Sequence, residues 1–157
     1  MKRIHLATGL AIRDGRVLLV ASRYPSHDAP LWNLPGGRQQ HGELLGTTVV
    51  RETREETGLA ATVGDVAYVS ESYDGDTHVL NVSFTMTVEG EIVLPTSGDH
   101  VVAASWIAID ELAMQLSVAV VREPLLAYLQ HGQRYAGYPD AGISIVWPDD
   151  ASSRSIT

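Results

Sequence analysis

Cysteine is absent from the 157 residues. That excludes disulfide bridges and thiolate metal sites, and makes a reducing cytoplasm the expected compartment. No run of about 18 apolar residues occurs, so no helical membrane span is expected. Positive charge is scarce: 11 Lys and Arg stand against 19 Asp and Glu, a formal net charge of -8. Binding a nucleic-acid backbone requires clustered Lys and Arg, so this balance argues against nucleic acid as a partner. It leaves a small anionic substrate open, because a divalent cation reverses the local charge of an acidic pocket. Lys2 and Arg3 precede an apolar stretch over residues 4–12, as in a leader, but His5 interrupts it and Arg13-Asp14 closes it. Without the usual small-residue cleavage site it reads as a strand.

Apolar residues make up 45% of the chain and charged residues 19%, an ordinary globular balance. The length suits one domain, expected over residues 1–130, with residues 131–157 as an extension that is partly ordered at most. Residues 4–12 and 16–22 read as two strands joined by Asp14-Gly15, a strong hairpin signal. Residues 23–33, with Pro25 and Pro30, read as a loop that ends in the Leu34-Pro35-Gly36-Gly37 turn. Residues 60–73 and 79–89 read as strands joined by Asp74-Gly75-Asp76, and residues 101–109 as another. Asp110 is placed as the cap of a short turn, and a second helix starts near Val118. In the polar tail the apolar run over residues 143–147 reads as an added strand or a partner surface for a homodimer. The sum is an α+β single domain.

Residues 43–57 contain no proline and carry an apolar stripe at helical spacing. At about 100° per residue, Leu45, Gly46, Val49, Val50, Thr53 and Thr57 share a face. Gly58 then reads as a left-handed cap. Glu52 and Glu56 lie four apart on one side of this helix, at the border of the stripe. Like charges so held repel unless a cation sits between them. The plainer alternative is a solvated face in an unrelated α+β protein, with Arg51 and Glu55 as a surface pair. Glu43 upstream and the glycine turn weigh against it. Oxygen donors without Cys or His select Mg²⁺, or Mn²⁺ in its place, over zinc.

The stretch GRQQHGELLGTTVVRETREETGL resembles the Nudix box, the signature of the Nudix hydrolase family. Gly37, Glu43, Arg51, Glu52, Glu55, Glu56, Gly58 and Leu59 all match its spacing. Chance would produce such a match on the order of once in a million chains of this length. Thr53 stands where the box has an apolar residue, a branched side chain all the same. The lead-in through Trp32, Leu34 and the two glycines and the close at Trp106 extend the resemblance over about residues 4–130.

The resemblance implies a Nudix-type α/β/α sandwich with a mixed central sheet and a loop–helix–loop metal site. It also implies water-driven, metal-dependent cleavage of a nucleoside diphosphate linked to another group. Carried over by position, Glu52 and Glu56 are the principal metal ligands, Glu55 is an additional ligand or a water-mediated contact, and Gly37 offers its carbonyl. Arg51 orients a carboxylate, Glu43 before others, by a bidentate contact. The family places a further carboxylate before the tryptophan matched by Trp106, and here those positions are Asp99 and His100. The general base is therefore open among Glu55, Glu56, Asp99 and His100.

Arg23, Trp32 and Tyr73 are candidate substrate contacts: a phosphate ligand, a base-stacking ring and part of the substrate mouth. The markers of ADP-ribose, NADH, coenzyme A and dinucleoside polyphosphate cleavers are missing. By elimination a nucleoside triphosphate or small nucleotide derivative is expected. A catalytically inactive nucleotide-binding sensor of the same fold is the competing reading. Degenerate boxes mark that class, and here every acidic position is kept.

Overall fold

The computed structural model describes residues 1–96 and 100–145. Within them the strands are β1 (Lys2–Leu10), β2 (Ile12–Arg13), β3 (Arg16–Ser22), β4 (Leu31–Asn33), β5 (Gly36–Arg38), β6 (Ala60–Asp74), β7 (Thr77–Glu89), β8 (Val101–Ala108) and β9 (Tyr135–Tyr138). The helices are α1 (Leu45–Thr57), α2 (Leu112–Gln115) and α3 (Ala119–His131), with a 3-10 turn at Ile109–Glu111. Asp110 lies inside that turn, and its start carries no side-chain cap. As expected, α3 begins after Val118.

The first apolar stretch divides at Ala11. β1 enters a five-stranded sheet ordered β5-β1-β7-β6-β9, whereas β2 joins β3, β4 and β8 in a second sheet. Asp14 and Gly15 close the β2–β3 hairpin at φ 52° and 71°, the positive angles that a type I′ turn requires. β1 pairs parallel with β7 and antiparallel with β5, so the first sheet is mixed. Part of the expected loop before the glycine turn is β4, which pairs with β3.

β3 shows how the layers are made. Val17 and Leu19 join Leu112, Leu116 and Leu125 in one core cluster, while Leu18 joins Val49, Leu59 and Met86 in another. Alternate residues of a strand point to opposite faces, so α1 covers one side of the sheets and α2–α3 the other.

On α1 the buried residues are Thr48, Val49, Thr53, Glu56 and Thr57, while Val50 is 38% exposed. The buried face is thus turned away from Val50 and toward Thr48 and Glu56. Threonine fits there because its hydroxyls find partners: Thr57 Oγ1 donates to Thr53 O at 2.6 Å and Thr53 Oγ1 to Met86 Sδ at 3.7 Å. Gly58 ends the helix at φ 77°, its N–H bonded to Arg54 O. In the tail the strand is β9, which runs parallel to β6. Ile143, Ser144 and Ile145 have no regular structure. Residues 146 and 147, the rest of the expected added strand, lie outside the described residues, as does Asp99.

Candidate active site

The site is assembled where the glycine turn meets α1. β5 pairs with β1 through Thr8 and Gly36. This brings the turn so close that a Cβ on Gly36 would stand 2.2 Å from Ala7 O, and Gly36 adopts φ 154°. Only glycine tolerates both conditions. The Gly36 N–H donates to Glu56 Oε1 at 2.8 Å. Glu56 is 2% exposed, so this carboxylate sits inside the buried face rather than at its border. One turn earlier, Glu52 lies against Gly37: a Cβ there would stand 2.6 Å from Glu52 Oε1. The two carboxylates therefore share the backbone of one glycine turn.

Arg51 organises the remaining acids. Its Nε and Nη2 meet the two oxygens of Glu43 at 2.8 and 2.9 Å, a bidentate fork. Its Nη1 donates to Glu52 Oε1 at 3.0 Å and to Glu55 Oε2 at 3.2 Å. Glu43 also accepts from the Gln40 N–H and the Thr48 hydroxyl. The Arg51 hydrogen bonds foremost hold its carboxyl down at about 2, well below the usual carboxylate range. Glu43 is thus a fully committed acceptor that ties the loop to the helix.

Tyr24, in the loop after β3, carries no signal in the local sequence pattern. Burial first, then the negative charge of Glu56, pushes its phenol up to about 12, against the lowering effect of a hydrogen bond with Ser22; Glu52 adds to the rise. Tyr24 therefore keeps its proton and lies within electrostatic reach of both carboxylates. Its ring lies 5.7 Å from that of His100, whose carbonyl accepts the Arg23 N–H. His100 is thereby brought to this end of the fold, and the exposed Arg23 lies beside it.

Two candidates stand apart. Trp32 is partly buried against the cluster that contains Leu34 and Leu112, a packing position. Tyr73 lies near the β6–β7 tip with its ring 4.9 Å from His78.

A cleft of ≈ 500 Å³ starts at Tyr24 and Thr8 and runs over the five-stranded sheet to Asp74, with α3 residues such as Val121 on its wall. Its floor carries polar groups. Thr8 Oγ1 lies 2.6 Å from Ser83 Oγ and donates to Asn81 Oδ1 at 3.1 Å, and Asn81 Nδ2 donates to Ser83 Oγ at 3.0 Å. This volume is in the range of small-ligand sites.

The donors around Glu52 and Glu56 are all oxygen, which suits a hard divalent cation. Among the described residues no three Asp, Glu or His side chains converge as a preformed cage. A pair of carboxylates is nonetheless the usual protein share for Mg²⁺, with phosphate and water oxygens completing the shell. The residues therefore fit such an ion.

The NUDIX domain family model matches residues 3–129. The chain is similar to the CTP pyrophosphohydrolase of Escherichia coli (strain K12), at 40% identity over 65 residues, 41% of this chain and 48% of that protein. It is also similar to the ADP-ribose pyrophosphatase of Methanocaldococcus jannaschii, at 36% identity over 84 residues, 52% of this chain and 49% of that protein. The match spans about half the length of these curated relatives. Among solved structures, the E. coli ORF135 protein superposes with a TM-score of 0.69 at 26% identity, covering 83% of this chain and 93% of that one.

Proposed function

The chain belongs to the NUDIX domain family, and from that footing we propose that it is a metal-dependent pyrophosphohydrolase. Its substrate is a nucleoside diphosphate linked to another group, a nucleoside triphosphate or small nucleotide derivative. The observation that carries this reading is the convergence of Glu52 and Glu56 on the glycine turn, within electrostatic reach of Tyr24, which lines the cleft. The curated relatives named above act, by their names, on CTP and ADP-ribose, which supports a nucleotide-type substrate.

Glu52 and Glu56 would hold Mg²⁺ or Mn²⁺, with Glu55 and the Gly37 backbone adding oxygen. When bound, the ion neutralises phosphate charge and lowers the pKa of a coordinated water. The protein's own groups do the rest. Arg51 keeps Glu52 and Glu55 on one side of α1 while Gly36 fixes Glu56. Tyr24 offers a proton-bearing hydroxyl where phosphate oxygens would gather, and Arg23 adds positive charge beside it. The proton of the attacking water passes to a base among Glu55, Glu56, Asp99 and His100. The cleft beyond Tyr24 receives the nucleoside end.

A panel of nucleoside triphosphates and nucleoside diphosphate derivatives, incubated with Mg²⁺ or Mn²⁺, tests the reading. The expected products by mass are a nucleoside monophosphate and the complementary phosphorylated fragment. Absence of metal-dependent cleavage across the panel overturns it.

A further inference from the structure

The cleft has one wall from outside the family match. That match ends at residue 129, yet Ala141, Ile143, Ser144 and Ile145 line the cleft together with the sheet. Chain connection alone does not hold this segment there. The Ala141 N–H donates to Tyr73 O at 2.8 Å. Asp74 Oδ2 accepts from Ser144 Oγ at 3.0 Å and from the Ile145 N–H at 3.4 Å. At the other side, His27 Nε2 meets Ser144 O at 2.9 Å. The segment is thereby tied both to the β6–β7 tip and to the loop that carries Tyr24.

The lining of the cleft mixes two chemistries. Ile143 and Ile145, with Val118 and Val121 and, on the sheet, Ile4, Leu6 and Val79, are apolar, whereas Asn81, Ser70 and Thr8 on the sheet carry polar groups. An amide side chain has two N–H donors and a two-lone-pair oxygen; Asn81 donates to Ser70 and Ser83 and accepts from Thr8, so one lone pair of its oxygen is left for a donor on a ligand. A planar heterocycle, with apolar faces and polar edges, matches this pairing. The tethers are few, and those made by Ser144 and His27 are exposed hydrogen bonds. Such a segment opens at little cost and responds to what binds beneath it.

We propose that residues 139–145 form a strap that closes over the nucleobase of the bound nucleotide and sets which base is accepted. This rests on the cleft being a nucleotide site. Asp74 is the positioning residue of the strap, since its carboxylate holds two consecutive residues of it.

The test uses the full chain with the four common ribonucleoside 5′-monophosphates and inorganic phosphate as probes. Binding is followed by calorimetry, and amide hydrogen exchange is followed over residues 140–145. At least one monophosphate should bind and slow exchange there by about fivefold or more, while inorganic phosphate leaves it unchanged. In Asp74→Ala, and more weakly in Ser144→Ala, affinities for the four bases should converge to within about twofold. A monophosphate that binds without slowing exchange overturns the strap and leaves the nucleotide reading intact. Equal slowing by inorganic phosphate, or undiminished base discrimination in both variants, overturns it likewise. If no monophosphate binds, the strap is overturned, while the nucleotide reading stands or falls with the cleavage panel.

Discussion

At the scale of single residues, one guanidinium does much of the arranging: Arg51 contacts Glu43, Glu52 and Glu55 together. Glu56 is held separately by Gly36, so the two principal carboxylates have independent supports. Lysine at position 51 keeps the charge but loses the fork, and supports of this kind are commonly worth tenfold or more. Arg51→Lys should therefore lower kcat by about tenfold or more on a confirmed substrate, with a smaller change in KM. Steady-state rates equal to wild type would remove Arg51 from the positioning role. The acidic set on α1 was legible because helical spacing is a local property, read directly from positions 51, 52, 55 and 56. Tyr24 was not legible, since its approach to Glu56 depends on how the loop after β3 folds back. Counting apolar letters also centres the buried face too near Val50. Thr48 goes inside because its hydroxyl bonds both Glu43 and Leu44 O.

At the scale of elements, α1 starts without a side-chain cap at Leu44 and without an acid in its first turn. Glu43 compensates by joining Gln40, Thr48 and Arg51 into one hydrogen-bonded knot. The sign of its pH effect follows from the lowered pKa. The knot contributes its full stability above the ordinary value of 4.5 and loses it as pH falls toward about 2. Thermal melts of wild type and Glu43→Gln should therefore differ most near neutral pH, the gap closing as pH falls from 4.5 to about 2. A gap that stays constant over this window would contradict the knot. The helix itself, its Gly58 stop and the β6–β7 hairpin were readable from periodicity and turn residues. The division at Ala11 was not, because an apolar run does not record which sheet each half joins.

At the scale of the whole molecule, function depends on pairings distant in sequence. β1 pairs with both β5 and β7, which sets the glycine turn at one edge of the sheet and the cleft floor beside it. β9 extends the other edge on β6, and the chain then returns over the cleft. Neither pairing leaves a mark in local composition, so the sequence alone presents the tail as a polar extension and does not bring Thr8 and Asn81 together on the cleft floor. What the fold brings together is a carboxylate pair, a protonated tyrosine and a ligand-sized cleft. The central claim is that the pair serves a divalent cation in pyrophosphate cleavage. Its most direct test is the rate of nucleotide cleavage against Mg²⁺ concentration in wild type and in Glu56→Gln. The wild-type rate should fall to background on chelation and return with Mg²⁺, and Glu56→Gln should be slower by at least about a hundredfold at saturating metal. Wild-type turnover that ignores the chelator, or Glu56→Gln turnover at the wild-type rate, would contradict the account.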